Sequence, residues 1–172
     1  MCIRDRYYTE NFGPYYHKQC RIIEFPRFSN FAQAFPGTMP YSESFGFIID
    51  LEDADDNNVI DAVIAHEMAH QWWAHQVVGA DMQGSTLLSE SFSEYSSLMT
   101  LKKIAKTPMK MREMLKYDHD RYLRGRSGER EKELALYKVE NQSYIHYGKG
   151  SIVLYALQDY IGEDKVLSLI HI

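Results

Sequence analysis

Up to Leu51 the apolar residues of this 172-residue chain either alternate with polar ones or run together; from Val59 they recur at three and four, at Val59, Ile60, Val63, Ile64 and Met68. Such a switch of period marks the passage from extended chain to an amphipathic helix with a buried face. The stretch Asp53 to Asn58 ahead of it is acidic and rich in capping residues, and Gly79 is expected to stop the run. Inside this helix lie His66, Glu67, Met68, Ala69 and His70, an HExxH pattern. At about 100° per residue, positions four apart differ by about 40°, so both imidazoles leave one face about one turn apart. A buried helix with two histidines on one face must satisfy them with neighbouring polar groups or with a shared ion.

Two strands are expected before this helix. Lys18 to Phe25 alternates and ends at Pro26, and Phe45 to Leu51 is apolar almost throughout, as an interior strand would be. Phe35, Pro36, Gly37 and Pro40 mark a turning loop between them that leads into Tyr41 to Ser44. After the HExxH helix a second should begin near Ser85, with Leu87, Leu88, Phe92, Tyr95, Leu98 and Met99 facing inward. Thr107 and Pro108 predict the start of a third, running to about Arg124. Gly125 to Glu129 reads as a polar loop, Leu134 to Val139 as a short extended piece, and Gly150 to Tyr160 as a helix ending at Gly162. Strands first and helices after predict an α+β fold, helix-rich with a small N-terminal sheet.

With 45% hydrophobic and 13% aromatic residues the chain can fill a core, and no repeat, low-complexity tract or Pro/Gly-rich linker divides it. Met1 to Arg6 has no pattern continuous with the residues after it, and Ser168 to Ile172 looks like a helix cut off just after its start. Residues 7–167 therefore read as part of one domain, with 1–6 and 168–172 as non-native ends. A net charge of -5 gives no reason to expect nucleic acid or an anionic lipid surface as partner. The basic stretch Lys102 to Arg130 is interleaved with Leu, Met and Tyr and with Glu113, Asp118 and Asp120, as solvated helix faces are. No apolar run reaches membrane-spanning length, and the two cysteines, Cys2 and Cys20, make neither a disulfide framework nor a metal motif.

The HExxH pattern predicts a zinc site with His66 and His70 as ligands. Glu67 sits one residue on, beside the ligands but displaced, which suits a base acting on the water that such an ion activates. A third ligand is available at Glu90, if the next helix returns antiparallel past the first, leaving a fourth position for water. Glu94, one turn on, competes for that role; it could instead accept a hydrogen bond from a ligand imidazole or face solvent. His75 lies about 140° around the helix from His70 and reads as structural.

His66 to Trp73, followed by Leu88-Ser89-Glu90-Ser91-Phe92-Ser93-Glu94-Tyr95, resembles the HExxH and (N/S)E(G/S)FxEY segments of the aminopeptidase N family. That resemblance implies a thermolysin-like catalytic domain with one zinc per chain on His66, His70 and Glu90, and Glu67 as general base. Between His70 and Glu90 lie 19 residues, one more than that family usually has, which predicts an insertion in the loop Gly79 to Gly84. Tyr147-Gly148-Lys149-Gly150 resembles the family's YxKG element, which makes Tyr147 the oxyanion donor, with Tyr144 as the alternative and Lys149 supporting the fold or the carboxylates of the site. Gly37 to Ile48 resembles the GAMEN strand-loop with three extra residues after Met39, which makes Glu43, 23 residues before His66, the group that grips a substrate's α-ammonium.

The resemblance spans Gly37 to Gly162 and implies a β-rich domain before this stretch and a helical one after it. The segment from Ala69 to Ser91 is similar to a bacterial branch in which the peptidase domain belongs to a large membrane protein. The whole protein would then be bacterial and cytoplasmic or membrane-associated through parts outside this sequence. The implied activity is release of N-terminal residues from peptides. The rivals are an endopeptidase of the same chemistry, an epoxide hydrolase, and a non-catalytic peptide-binding domain that keeps zinc for stability. Glu67 beside both histidines argues against the last, since a structural ion has no use for a base.

Overall fold

A computed structural model describes every residue except 1, 2, 49, 51, 53, 106, 171 and 172. Expectations resting on Met1, Cys2, Ile49, Leu51, Asp53, His171 and Ile172 lie outside the described residues. The HExxH helix, α3, spans Ala54–Ala69, and α1 (Ile3–Phe12), β1 (Arg21–Phe25), β2 (Thr38–Ser42) and α2 (Glu43–Gly46) precede it. It does not run on to Gly79. The chain breaks from helical geometry after Ala69, and Ala74 takes a positive φ of 95° while its N–H donates to the Val77 carbonyl. Neighbouring side chains on a continuous helix diverge by about 100°, yet Trp72 and Trp73 are both buried, at 0% and 2% exposure. Leaving the helix here lets both indoles enter one core.

That core is largely aromatic. Helix α1 (Ile3–Phe12) takes in Ile3 to Arg6 and buries Tyr7, Tyr8 and Phe12. Tyr8 meets Trp72 edge-on at 5.4 Å and Phe12 meets Trp73 at 5.0 Å, the arrangement that ring quadrupoles favour. Tyr8 also donates to the Ala65 carbonyl at 2.9 Å, which ties α1 to α3 one residue from His66.

Strand β1 (Arg21–Phe25) lies within the expected Lys18 to Phe25, and pairs in parallel with β2 (Thr38–Ser42), from Arg21↔Thr38 to Phe25↔Ser42. On the other edge of β2 the segment 31–35 runs antiparallel: the N–H groups of Gln33 and Phe35 donate to Pro40 and Thr38, and Ser42 N–H donates to Phe31. The strand expected at Phe45 to Leu51 does not form among the described residues. Glu43–Gly46 is a single helical turn, α2, capped by the Ser42 hydroxyl, and Phe47 and Ile48 are half exposed. An apolar run reads as an interior strand only if a neighbour covers it, and here β2 has taken that place.

The chain returns through a π-helical turn, Leu87–Ser91, into α4 (Phe92–Ile104), which together make up the helix expected from near Ser85. Thr107 caps α5 (Pro108–Gly128), accepting from Lys110 N–H at 3.3 Å. Helix α5 continues past Arg124, so most of the loop expected at Gly125 to Glu129 is helical. Gly125 is a close-approach position and not a turn, since a Cβ there would lie 2.2 Å from the Tyr144 ring. Leu136–Lys138 is a 3-10 turn where an extended piece was expected. A second π turn, Tyr144–Lys149, leads into α6 (Gly150–Ile161), which ends at Gly162 with φ 97° as expected. The last helix, α7 (Glu163–Ile170), starts five residues before Ser168, where the sequence pattern had suggested a beginning. Among the described residues no helix is long and apolar enough to cross a membrane.

Candidate metal centre

His66 leaves the last turn of α3 and His70 the residue just beyond it, while Glu90 comes from the first π turn. Their ligand atoms converge: His66 Nε2 and His70 Nε2 are 3.0 Å apart, and Glu90 Oε2 lies 3.3 Å from the first and 3.5 Å from the second. Ligands about 2.0–2.1 Å from a tetrahedral zinc stand about 3.3 Å from one another. Glu90 Oε2 is buried and faces the two imidazole nitrogens, a place that suits a ligand atom. The three residues fit a metal on geometry and on donor chemistry.

The far nitrogens of both rings are engaged, which leaves each Nε2 for the ion. His70 Nδ1 lies 3.0 Å from Ser93 Oγ and 3.1 Å from the Trp73 carbonyl, and His66 Nδ1 lies 2.5 Å from Glu94 Oε2. Glu94 therefore stands behind His66, outside the three converging atoms. Burial disfavours the His66 imidazolium, but the Glu94 charge, with Glu90, outweighs it and pushes that pKa up to about 10. Burial raises the Glu90 carboxyl, and the two imidazoles overcome this and hold it well below the carboxylate range. His75 stands outside the cluster, in line with its structural reading, its pKa lowered by burial and then by the charges of His70 and His17.

The π turn bears on the unusual spacing between His70 and Glu90. Phe92 N–H reaches back to the Leu87 carbonyl, five residues away, so this turn holds one residue more than an α turn. That turn begins between His70 and Glu90 and carries Glu90 itself.

Glu67 is 7% exposed, and its Oε2 is buried without a partner. Burial raises its carboxyl; the charges of His66 and His70 and the Ala34 N–H pull the other way. Tyr147, on the second π turn, places its ring 5.4 Å from that of His66. Burial raises the Tyr147 phenol far above its usual value, the Glu90 charge adds to this and Arg121 opposes it, so the group is an O–H donor at any neutral pH. Tyr144 instead packs beside Tyr122, at 6.2 Å, and over Gly125. Lys149 is paired with Glu133, in a fold-supporting position.

The Peptidase family M1 domain matches residues 5–171 of this sequence. The chain belongs to peptidase family M1. A probable aminopeptidase 1 from Sulfurisphaera tokodaii is 28% identical over 166 residues, 92% of this chain and 21% of that protein. An M1 zinc metallopeptidase mutant from Deinococcus radiodurans shares the fold, with a TM-score of 0.68 at 21% identity over 98% of this chain and 34% of that one. The same protein bound to a Tyr-Ser-Ala substrate gives a TM-score of 0.67. The M1 chain described here thus spans about a fifth of the length of the aminopeptidase and a third of the solved structure.

Beside the metal centre of this M1 domain opens a cavity of about 470 Å³. Its lining includes the polar Glu67, Glu94 and Tyr147 and the apolar Val63, Leu98 and Met114. Phe31 and Ala32, from the edge segment against β2, line it too. Glu43 does not: its carboxylate accepts from Arg27 N–H at 3.3 Å, at the start of α2. Sequence reasoning missed Ser93, Asp118 and Arg121 as members of this neighbourhood. Ser93 lay inside the motif already singled out, whereas Asp118 and Arg121 had no motif signal and were read as part of a solvated face.

Proposed function

We propose that this chain is the catalytic core of a zinc-dependent peptidase that releases N-terminal residues from peptides, with one zinc per chain on His66, His70 and Glu90. The observation that carries the reading is the convergence of those three ligand atoms beside a cavity whose lining includes His66, Glu67 and Tyr147. Zinc at this place supplies a Lewis acid for a carbonyl oxygen and acidifies a water. Glu67, with an unpartnered buried oxygen, takes the proton of the attacking water and delivers it to the leaving nitrogen. Tyr147 donates its O–H to the carbonyl oxygen as negative charge grows there. Glu94 and Ser93 hold the imidazoles in the orientation that keeps both Nε2 atoms together.

Glu43 is the resemblance-based candidate for gripping the substrate's ammonium. Its bond to Arg27 N–H, away from the cavity lining, favours the second reading, an endopeptidase with an open cleft. Zinc analysis of the full-length protein, with an assay on free and N-acetylated peptides, separates the two. One zinc per chain and cleavage of free peptides only support the aminopeptidase; equal cleavage of both supports the endopeptidase; no zinc and no cleavage refute both. Glu43→Ala should weaken cleavage of free peptides and narrow the discrimination against acetylated ones if Glu43 is the clamp, because an ammonium left without its carboxylate in a partly desolvated site costs several kcal/mol.

A further inference from the structure

One face of α5 is built against the turn that carries Tyr147. Asp118, Arg121 and Tyr122 stand at i, i+3 and i+4, so they share that face. Gly148 lies directly on its backbone: a Cβ at Gly148 would be 2.8 Å from the Asp118 carbonyl and 3.0 Å from Tyr122 N. Ser151 donates to the Asp118 carboxyl at 2.8 Å and also contacts the Tyr147 carbonyl at 3.0 Å. The backbone just after Tyr147 is thereby pinned to α5. Its side chain is met by the same helix, for the Arg121 guanidinium carbon sits 4.3 Å from the centre of the Tyr147 ring. Among the described residues Arg121 makes no salt bridge or hydrogen bond; its charge opposes the rise of the Asp118 carboxyl, and its guanidinium lies over the Tyr147 ring.

We propose that Arg121 is a positioning residue for the reaction: its guanidinium backs the Tyr147 ring and sets the direction in which the hydroxyl meets the carbonyl oxygen. This rests on the reading of Tyr147 as oxyanion donor given above. A hydroxyl on a two-torsion side chain helps only where the ring cannot swing, and misplacement by about 1 Å can cost about a hundredfold in rate. The hydroxyl also has a competing acceptor in Glu90. A planar cation on the ring face restrains it without consuming the O–H. Lysine could supply the charge but not the plane, so the two are not equivalent here.

The test compares Arg121→Met, Arg121→Lys, Tyr147→Phe and the Arg121→Met/Tyr147→Phe double variant of the full-length protein. Arg121→Met should lower kcat about tenfold or more with KM changed less than about twofold and zinc content intact. Arg121→Lys should recover part of the loss. In the double variant the Arg121 change should cost nothing beyond Tyr147→Phe, because there is no hydroxyl left to aim. In metal-free protein carrying fluorotyrosine, the fluorine resonance that Tyr147→Phe removes should shift in Arg121→Met. A raised KM with unchanged kcat would mean that the guanidinium touches substrate, and full additivity in the double variant that it acts elsewhere; either overturns the proposal, as does an unmoved resonance. A wild-type protein that cleaves no peptide, or a fully active Tyr147→Phe, would instead bring down the assignment of Tyr147, and the role of Arg121 with it.

Discussion

Burial at the candidate metal centre suits the tasks proposed for His66, Glu67 and His70. His66, Glu67 and His70 are each 7% exposed, and a carboxylate so placed without a partner on one oxygen is costly unless an ion or substrate uses it. Glu67→Gln should therefore keep its zinc and lose about a hundredfold to ten-thousandfold in turnover, read by metal analysis beside steady-state kinetics. Tyr147→Phe should lose about a hundredfold or more in kcat with little change in KM. Asp118 makes a different statement. Burial, then the Glu94 charge, pushes its carboxyl up to about 8, above an unfolded value near 3.9. The folded state holds this proton more tightly, so the contribution to stability is complete below about pH 4 and is lost as pH rises through about 8. Asp118→Asn should flatten that part of the melting temperature against pH; an unchanged slope would show that Asp118 is ionised in the fold.

At the scale of elements, both π turns sit where a functional side chain must be aimed, one under Glu90 and one under Tyr147. Such turns are rare in ordinary helices and concentrate at functional sites. They also touch. Ser91 donates to the His146 carbonyl at 2.8 Å, and a Cβ on Gly150 would fall 2.2 Å from Ser91 Oγ. The second glycine of Tyr147-Gly148-Lys149-Gly150 is thus what lets the Tyr147 turn close on the Glu90 turn. Gly150→Ala should destabilise the protein by about 1–3 kcal/mol through overpacking. It should also lower activity more than that loss of folded population explains, because Glu90 and Tyr147 are pushed apart. Thermal melts and kcat on the same samples check both; a variant that melts and turns over like wild type would show that the contact is slack.

Across the whole molecule, the ligands join α3 to the turn before α4, two elements separated by the irregular stretch after Ala69. An ion shared between them would close that segment, so removing zinc with a chelator should lower the melting temperature as well as abolish activity. His66→Ala should melt near the chelated wild type and gain nothing from added zinc. What the sequence determined unaided was local: two imidazoles four residues apart, the carboxylate between them, the Thr107-Pro108 start of α5 and the Gly162 stop of α6 depend on spacings within one or two helical turns. Resemblance extended this to Glu90 and Tyr147. The tertiary structure alone decided that Thr38–Ser42 and not Phe45 to Leu51 is the strand beside β1, that α3 ends at Ala69, and that Asp118 and Arg121 of a helix resembling a solvated face stand against the Tyr147 turn. Which edge a strand pairs with, and how closely two backbones approach, depend on partners tens of residues away, and hydrophobic period carries no record of them.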